Sequence, residues 1–312
     1  MIALLLVGFA ATLAAAAPRR LVAAGWPYRS PRLAILAWHA TTYAVVVALT
    51  AAATVALLHW TRGHQLACAA WHVCLDALRG EHGRTGQLFA VAGLALLTML
   101  AARLAIAWRQ VIAAGARDRQ RHLDLLRLTG TPRPDLDATV LPGPDAAAYL
   151  VPGRDPRVVI TAGALSRLTD TELAAVVAHE RAHAAGRHDG LRGAMRLLHR
   201  AFPGVPVFAH ASRQVDRLVE LCADEAAVRQ HGPLPLARAL VAMAAPIPTP
   251  SVLNAAGGDA AERLQRLLEP PLPLAWPVKA LAAAGWTLLP AAPLLIVTVA
   301  RFAPIPGLIW LS

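Results

Sequence analysis

The chain has 312 residues, a formal net charge of +11 and 56% hydrophobic residues. That apolar fraction exceeds the roughly 45–50% of ordinary soluble domains. The basic balance does not make a nucleic-acid binder, because no nucleic-acid motif accompanies it and arginines beside membrane spans account for the charge.

Residues 1–17 are uncharged and end at Pro18-Arg19-Arg20. A signal peptide carries its basic residues ahead of the apolar core, whereas here they follow it. The stretch therefore predicts a first transmembrane helix with its N-terminus outside. Residues 33–58 and 88–108 are apolar runs long enough for a second and a third span. Arg19, Arg20, Arg29 and Arg32 lie in the first connection, and Arg109, Arg117, Arg119, Arg121 and Arg127 follow the third span. In the 59–87 connection, Arg62, Arg79 and Arg84 are diluted by Asp76 and Glu81. This bias predicts that 59–87 faces outside and the long segment after span three faces the cytoplasm.

His39 and Arg103 fall within spans and are functional candidates on that ground. Arg103 can instead snorkel to the inner boundary, and His39 can face a neighbouring helix uncharged. The outer connection holds Cys68 and Cys74 with His64, His72 and His82 nearby. A disulfide is permitted there, and their spacing matches no recognised metal-ligand pattern.

From 109 to 128 the chain reads as a basic helix, broken by Thr129–Pro134. Strands are predicted at Ala138–Leu141, Ala147–Val151 and Arg157–Ala162, with Pro152–Asp155 as a hairpin turn between the last two. Thr169-Asp170-Thr171-Glu172 reads as a capping box opening a helix, along which Leu173, Val176 and Val177 form the apolar stripe and Gly186 a stop. That helix carries His179-Glu180-Arg181-Ala182-His183, an H-E-x-x-H sequence. Histidines four apart are rotated by about 400° and share one helical face, so both can hold one zinc ion. Glu180, next in the turn, is placed to act as a base toward water.

A short helix follows at Leu191–Arg200, then a loop at Phe202–Pro206 and a helix from about Ser212 to Gln230. The last carries Glu220-Leu221-Cys222-Ala223-Asp224, two carboxylates at i and i+4 on one face. A catalytic zinc takes three protein ligands and keeps one position open, and Glu220 is the natural third ligand. Asp224 can accept a hydrogen bond from the other ring nitrogen of a ligand histidine. Both carboxylates facing water is the alternative. Cys222 reads as a packed side chain. Arg229 and His231 are candidate oxyanion partners or plain surface residues. Helices at 234–245 and 259–268, a proline-rich boundary at Pro270–Pro277, and a fourth span at 278–302 with Pro290 and Pro293 complete the reading. The spans lack paired charges and broken half-helices, which argues against a transporter.

H-E-x-x-H followed downstream by E-x-x-x-D, between predicted spans, resembles the gluzincin-type integral membrane metallopeptidases. Two groups share that core, the BlaR/MecR antirepressor peptidases and the HtpX and CAAX-prenyl endopeptidase group. Three spans, the zinc segment and one more span are more similar to BlaR/MecR, as is the run from Val177 to Asp189. The resemblance covers roughly residues 1–302, and the penicillin-binding sensor of those receptors is expected to be lacking, so β-lactam sensing does not carry over. It implies a zinc metalloendopeptidase with Zn2+ on His179, His183 and Glu220, Glu180 as catalytic base and Asp224 supporting a ligand. It also implies a cytosolic protein or peptide substrate, such as a BlaI-like winged-helix repressor cleaved in signal transduction. The alternatives are an HtpX-like quality-control protease and a non-catalytic zinc-containing receptor or scaffold. The expected fold is mainly α: a four-span helical membrane protein with a cytoplasmic zincin-like α+β domain, a small sheet plus helices. Its expected parts are 1–108, 109–275 and 276–312, and its partners the substrate and the lipid bilayer, with no direct nucleic acid.

Overall fold

A computed structural model describes residues 2–58, 84–244 and 253–302. The cysteines and histidines of the predicted outer connection lie outside the described residues. The described chain is mainly helical, with one small sheet. Its helices, in order, are α1 (Ile2–Ala23), the short α2 (Trp26–Arg29), α3 (Pro31–Leu58), α4 (Arg84–Thr129), α5 (Ala162–Arg167), α6 (Asp170–Ala185), α7 (His188–Ala201), α8 (Pro206–His231), α9 (Pro233–Ala244), α10 (Leu253–Leu268), α11 (Trp276–Leu288) and α12 (Ala292–Phe302). The strands are β1 (Thr131–Arg133), β2 (Ala138–Leu141), β3 (Ala148–Val151) and β4 (Arg157–Thr161).

Among the described residues four helical segments are long and apolar enough to cross a membrane: α1, α3, the first part of α4, and α11 with α12. Several of their hydroxyls are satisfied locally, although that of Thr41 is buried without a partner. Thr42, Thr50, Thr54 and Thr98 donate to the carbonyl four residues back, at 2.8–2.9 Å, so no backbone ladder is broken to accommodate them. Helix α3 is the hub and packs against α1, α4, α11 and α12. It meets α4 at Gly93, where an added Cβ would lie 2.7 Å from the Ala53 carbonyl oxygen. The missing side chain is what lets the two backbones approach.

The predicted third span and the basic helix after it are a single 46-residue element. Nothing between Trp108 and Thr129 is a strong helix breaker, so propagation continues past the apolar run. The fourth predicted span is interrupted by one turn of 3-10 helix at Leu289–Ala291, where Pro290 and Pro293 each remove a backbone donor.

The sheet has order β1-β2-β4-β3. β2 and β4 are parallel, while β1–β2 and β3–β4 are antiparallel. β1 was not expected from the sequence; Thr131-Pro132-Arg133 reads as a breaker. An edge strand tolerates proline because one side of it needs no donors. One sheet face packs Leu141, Val151 and Val159 against Leu126 of α4. On the other, Val158 and Ile160 pack against Leu173, Val176 and Val177 of α6.

Helices α7 and α8 share a core with the membrane-type helices. Met195, Phe208, Val215, Leu218 and Leu221 are buried with Leu21, Ile35, Trp38 and Val45. Arg103 donates to the Ala201 carbonyl at 3.2 Å, one of the last carbonyls of α7, which has no helical partner of its own. His39 is buried, with Nδ1 at 2.9 Å from the Ile35 carbonyl and its ring edge-on to Tyr43.

Replacing Gly93 by leucine puts a branched side chain against the α3 backbone. Overpacking of this kind costs about 1–3 kcal/mol. The detergent-solubilised variant is expected to melt several degrees lower than the parent, whereas Gly190→Leu, at an exposed glycine with open space around it, is expected to melt within about a degree of it.

Candidate metal centre

Helix α6 is positioned by its N-terminal cap and by packing along its middle. The predicted capping box forms: the Glu172 amide donates to Thr169 Oγ1 at 3.4 Å and the Thr169 amide to Glu172 Oε2 at 2.9 Å. Ala175 and Ala178 pack against Ala227 of α8 and Leu236 and Ala237 of α9. Small residues at this contact bring α6 and α8 close, so side chains one turn apart on each helix meet in the space between them.

Those side chains are His179, His183 and Glu220. The two Nε2 atoms are 3.2 Å apart. His179 Nε2 lies 3.3 Å from Glu220 Oε2, and His183 Nε2 lies 3.4 Å from Glu220 Oε1. A tetrahedral ion bound at about 2.0–2.1 Å separates its donors by about 3.3–3.4 Å. Each histidine nitrogen stands at that distance from one oxygen of Glu220, the two contacts using different oxygens, and with one donor atom per residue the three lie within 4.8 Å of one another, close enough to hold a metal ion.

A surrounding set of side chains holds these donors. Asp224 Oδ1 lies 2.9 Å from His179 Nδ1. Arg263 of α10 forks onto Asp224 with Nε–Oδ2 at 2.8 Å and Nη2–Oδ1 at 2.7 Å, and its Nη1 lies 3.3 Å from Glu220 Oε2. Arg192 of α7 donates to Glu220 Oε1. His188 Nδ1 is 2.9 Å from His183 Nδ1. Gly186 makes that contact possible, because a Cβ there would collide with the His188 ring.

The electrostatics follow from burial and neighbours. Burial works against a charged His179, but hydrogen bonds to Asp224 and Glu220 override it and push its pKa up to about 9. Burial pulls His183 down to about 3 and His188 to about 4. Burial alone would raise Glu220, yet the hydrogen bond and charge of His179 and the charge of Arg263 hold it well below the usual carboxylate range. Asp224 is held low by its hydrogen bonds to Arg263 and His179, against its burial. Glu180 moves the other way: burial pushes it up to about 7, although His179 opposes the shift.

Glu180 also faces the edge of the sheet. The Thr161 amide donates to the Ala147 carbonyl, so by the alternation of an antiparallel pair Ala148 and Leu150 turn their backbone groups away from β4. The Leu150 amide is then directed at the Glu180 carboxyl. The free edge of β3 runs beside Glu180.

Of the other sequence candidates, Arg229 and His231 are exposed in the last turn of α8, about 14–17 Å along the axis from Glu220. They are not part of this site. Cys222 points into the core, and burial pushes its thiol up to about 12. Arg192 and Arg263 were not anticipated from the sequence; each comes from a separate helix, and no short motif signals either one.

Residues 115–203 match the model of Peptidase family M48. The matched stretch includes the helix with His179, Glu180 and His183 and ends before Glu220, so the carboxylate helix rests on geometry. Comparisons with curated proteins and with solved structures give no match.

Two outcomes are expected from this arrangement. Asp224→Asn weakens the support of His179, so zinc affinity falls about 10–100-fold in a competition titration with a chromophoric chelator; unchanged affinity would separate Asp224 from the metal donors. Glu180→Gln removes a carboxylate that burial disfavours. Its folded pKa lies above the ordinary 4.5, so ionisation destabilises the fold fully above about pH 7 and not at all below about pH 4.5. Metal-free Glu180→Gln is therefore expected to melt several degrees above the parent at pH 8, a gain of up to about 3 kcal/mol, with the gap closing as pH falls to 4.5.

Proposed function

We propose that this protein is a membrane-embedded zinc-dependent endopeptidase acting on a protein at the cytoplasmic face. The observation that carries the reading is the convergence of His179, His183 and Glu220, whose donor atoms lie within 4.8 Å of one another, with Glu180 one residue from the first of them. Two imidazoles and one carboxylate suit zinc with a position left open. His179, His183 and Glu220 are the ligands, and Asp224 fixes the tautomer of His179. Bound there, zinc supplies Lewis acidity toward a scissile carbonyl and lowers the pKa of water.

Glu180 takes the proton of the attacking water and returns it to the leaving amine. The outward backbone groups of Ala148 and the outward carbonyl of Leu150 pair with an extended substrate strand and align its carbonyl. Arg192 and Arg263 keep Glu220 anionic and oriented.

The cytoplasmic placement is supported by charge and by contact. Arg29 donates to the Leu272 carbonyl and Arg266 to the Tyr28 carbonyl, so the arginine-rich first connection and the metal-centre segment share one side. The positive-inside rule makes that side cytoplasmic. The BlaR/MecR resemblance supplies a BlaI-like repressor as substrate and a role in signal transduction. An HtpX-like protease would instead cleave unfolded membrane proteins broadly. The M48 match names a peptidase family and neither substrate.

The decisive experiment uses purified, zinc-loaded protein and an unstructured protein such as casein. Glu180→Gln is expected to retain one zinc per chain while cleavage drops by about 10²–10⁴-fold. Cleavage equal to the parent's would remove Glu180 from the reaction, and loss of the metal would make it part of the binding site instead.

A further inference from the structure

A recess of about 480 Å³ opens where the end of β3 and the β3–β4 hairpin lie against the last turns of α4. Arg119, Arg127, Arg154 and Arg157 line it, with Asp155 the one carboxylate among them. Arg157 is loosely paired with Asp155 and Arg127 with Asp124, both at 3.6 Å and exposed. Pairs of that kind are worth little. Arg119 and Arg154 have no ion-pair partner among the described residues, and the Arg119 side chain lies along Gly153. Four guanidinium groups around one open concavity repel one another, and an anion placed between them relieves the repulsion.

Position decides which anion. The recess starts at Val151, one residue beyond Leu150, whose amide meets Glu180. A strand laid along the free edge of β3 passes Glu180 and runs on past the hairpin. At about 3.3 Å per residue it reaches the arginines two to four residues later. A lipid phosphate fits less well. Arg119 follows Trp108 by eleven helical residues, about 16 Å along α4, or about 12 Å with a 40° tilt. The headgroup layer beyond the hydrocarbon is only about 5–8 Å deep.

We propose that this recess binds acidic side chains of a peptide and, resting on the peptidase reading, selects substrates with aspartate or glutamate two to four residues from the scissile bond, on the side that passes the β3–β4 hairpin. The arginine forks take the carboxylates, and the paired strand edge sets their distance from Glu180.

Binding is tested apart from cleavage. The full chain carrying Glu180→Gln, zinc-loaded in non-ionic detergent, is titrated against a fluorescein-labelled Gly/Ser decapeptide bearing four aspartates and against the same peptide with four asparagines. Anisotropy is expected to show at least tenfold tighter binding of the acidic peptide, weakening as NaCl rises from 50 to 500 mM. Adding Arg119→Gln with Arg154→Gln should remove about tenfold of it. The charge-matched pair Arg109→Gln with Arg213→Gln, outside the recess, should change it less than twofold. Equal binding of the two peptides, or equal loss in the two double variants, overturns the proposal. So does retention of phosphatidylglycerol from mixed micelles without discrimination between the peptides.

A second arm digests a mixed peptide pool with chains retaining Glu180. Acidic residues should be enriched at those positions on one side of the cut. The enrichment should vanish in the Arg119→Gln, Arg154→Gln chain while neutral peptides are still cut. Cleavage without enrichment overturns the selection. Absence of all cleavage beside intact acidic-peptide binding overturns the peptidase reading, and with it the substrate role, but leaves the recess as an acidic-peptide site.

Discussion

Glu220 and Asp224 stand one turn apart on α8, on the side that faces α6, with Asp224 almost wholly removed from water. Two ionised carboxylates in such a place repel each other and lose their hydration, and removing one partner from a buried pair is what makes such sites collapse. Arg263 resolves this. Its guanidinium reaches both carboxylates at once, forked onto Asp224 and within 3.3 Å of Glu220. Arg192 takes the other oxygen of Glu220. The two carboxylates are matched by two guanidinium groups, and only then can His179 and His183 meet an oriented carboxylate rather than a protonated one. Helices α6, α7, α8 and α10 must all be in place before these donors form one site.

That requirement explains why the donor-bearing helices are not a freely tethered module. Helices α7 and α8, which carry Arg192, Glu220 and Asp224, bury one side among α1 and α3. Met195, Phe208 and Val215 pack in one core with Ile35, Trp38 and Val45. Arg103, within the third apolar stretch, has a use that composition alone does not show: it satisfies the Ala201 carbonyl where α7 ends inside this shared core. The membrane-type helices thus act as the rigid base on which the donor-bearing helices are registered, which is what a site tolerant of only a few tenths of an ångström requires.

What was legible in the sequence is what local periodicity encodes. His179 and His183, or Glu220 and Asp224, share a face because of a spacing of four, and the Thr169–Glu172 cap is a contact across three residues. The strands β2, β3 and β4 follow from apolar runs and a turn. Arg192 and Arg263 were not legible, since an arginine that enters a buried network from another helix looks like any arginine on a solvated face. β1 was hidden by its proline, and Arg229 and His231 were drawn toward the site by nearness in sequence although the rise of a helix carries them away from it. The recess at the β3–β4 hairpin depends on α4 continuing unbroken past Trp108, which the apolar-to-basic switch in composition obscures.

Glu180 is the residue whose environment makes least sense for a purely structural role. Its carboxyl is largely buried, the burial pushes it toward neutrality, and glutamine there would remove an ionisation that the fold resists. The neighbours that make Glu220 and Asp224 comfortable as anions do not reach it in the same way: Arg263 and His179 act on it through space, and the Leu150 amide is the backbone donor that meets it. In the metal-free protein the result is a carboxyl raised to about 7 by its burial. A scaffold that kept a metal only for stability would be better served by an amide or an apolar side chain at this position. Glu180 thus holds a carboxyl that burial disfavours as an anion, beside the unpaired and partly buried edge of β3.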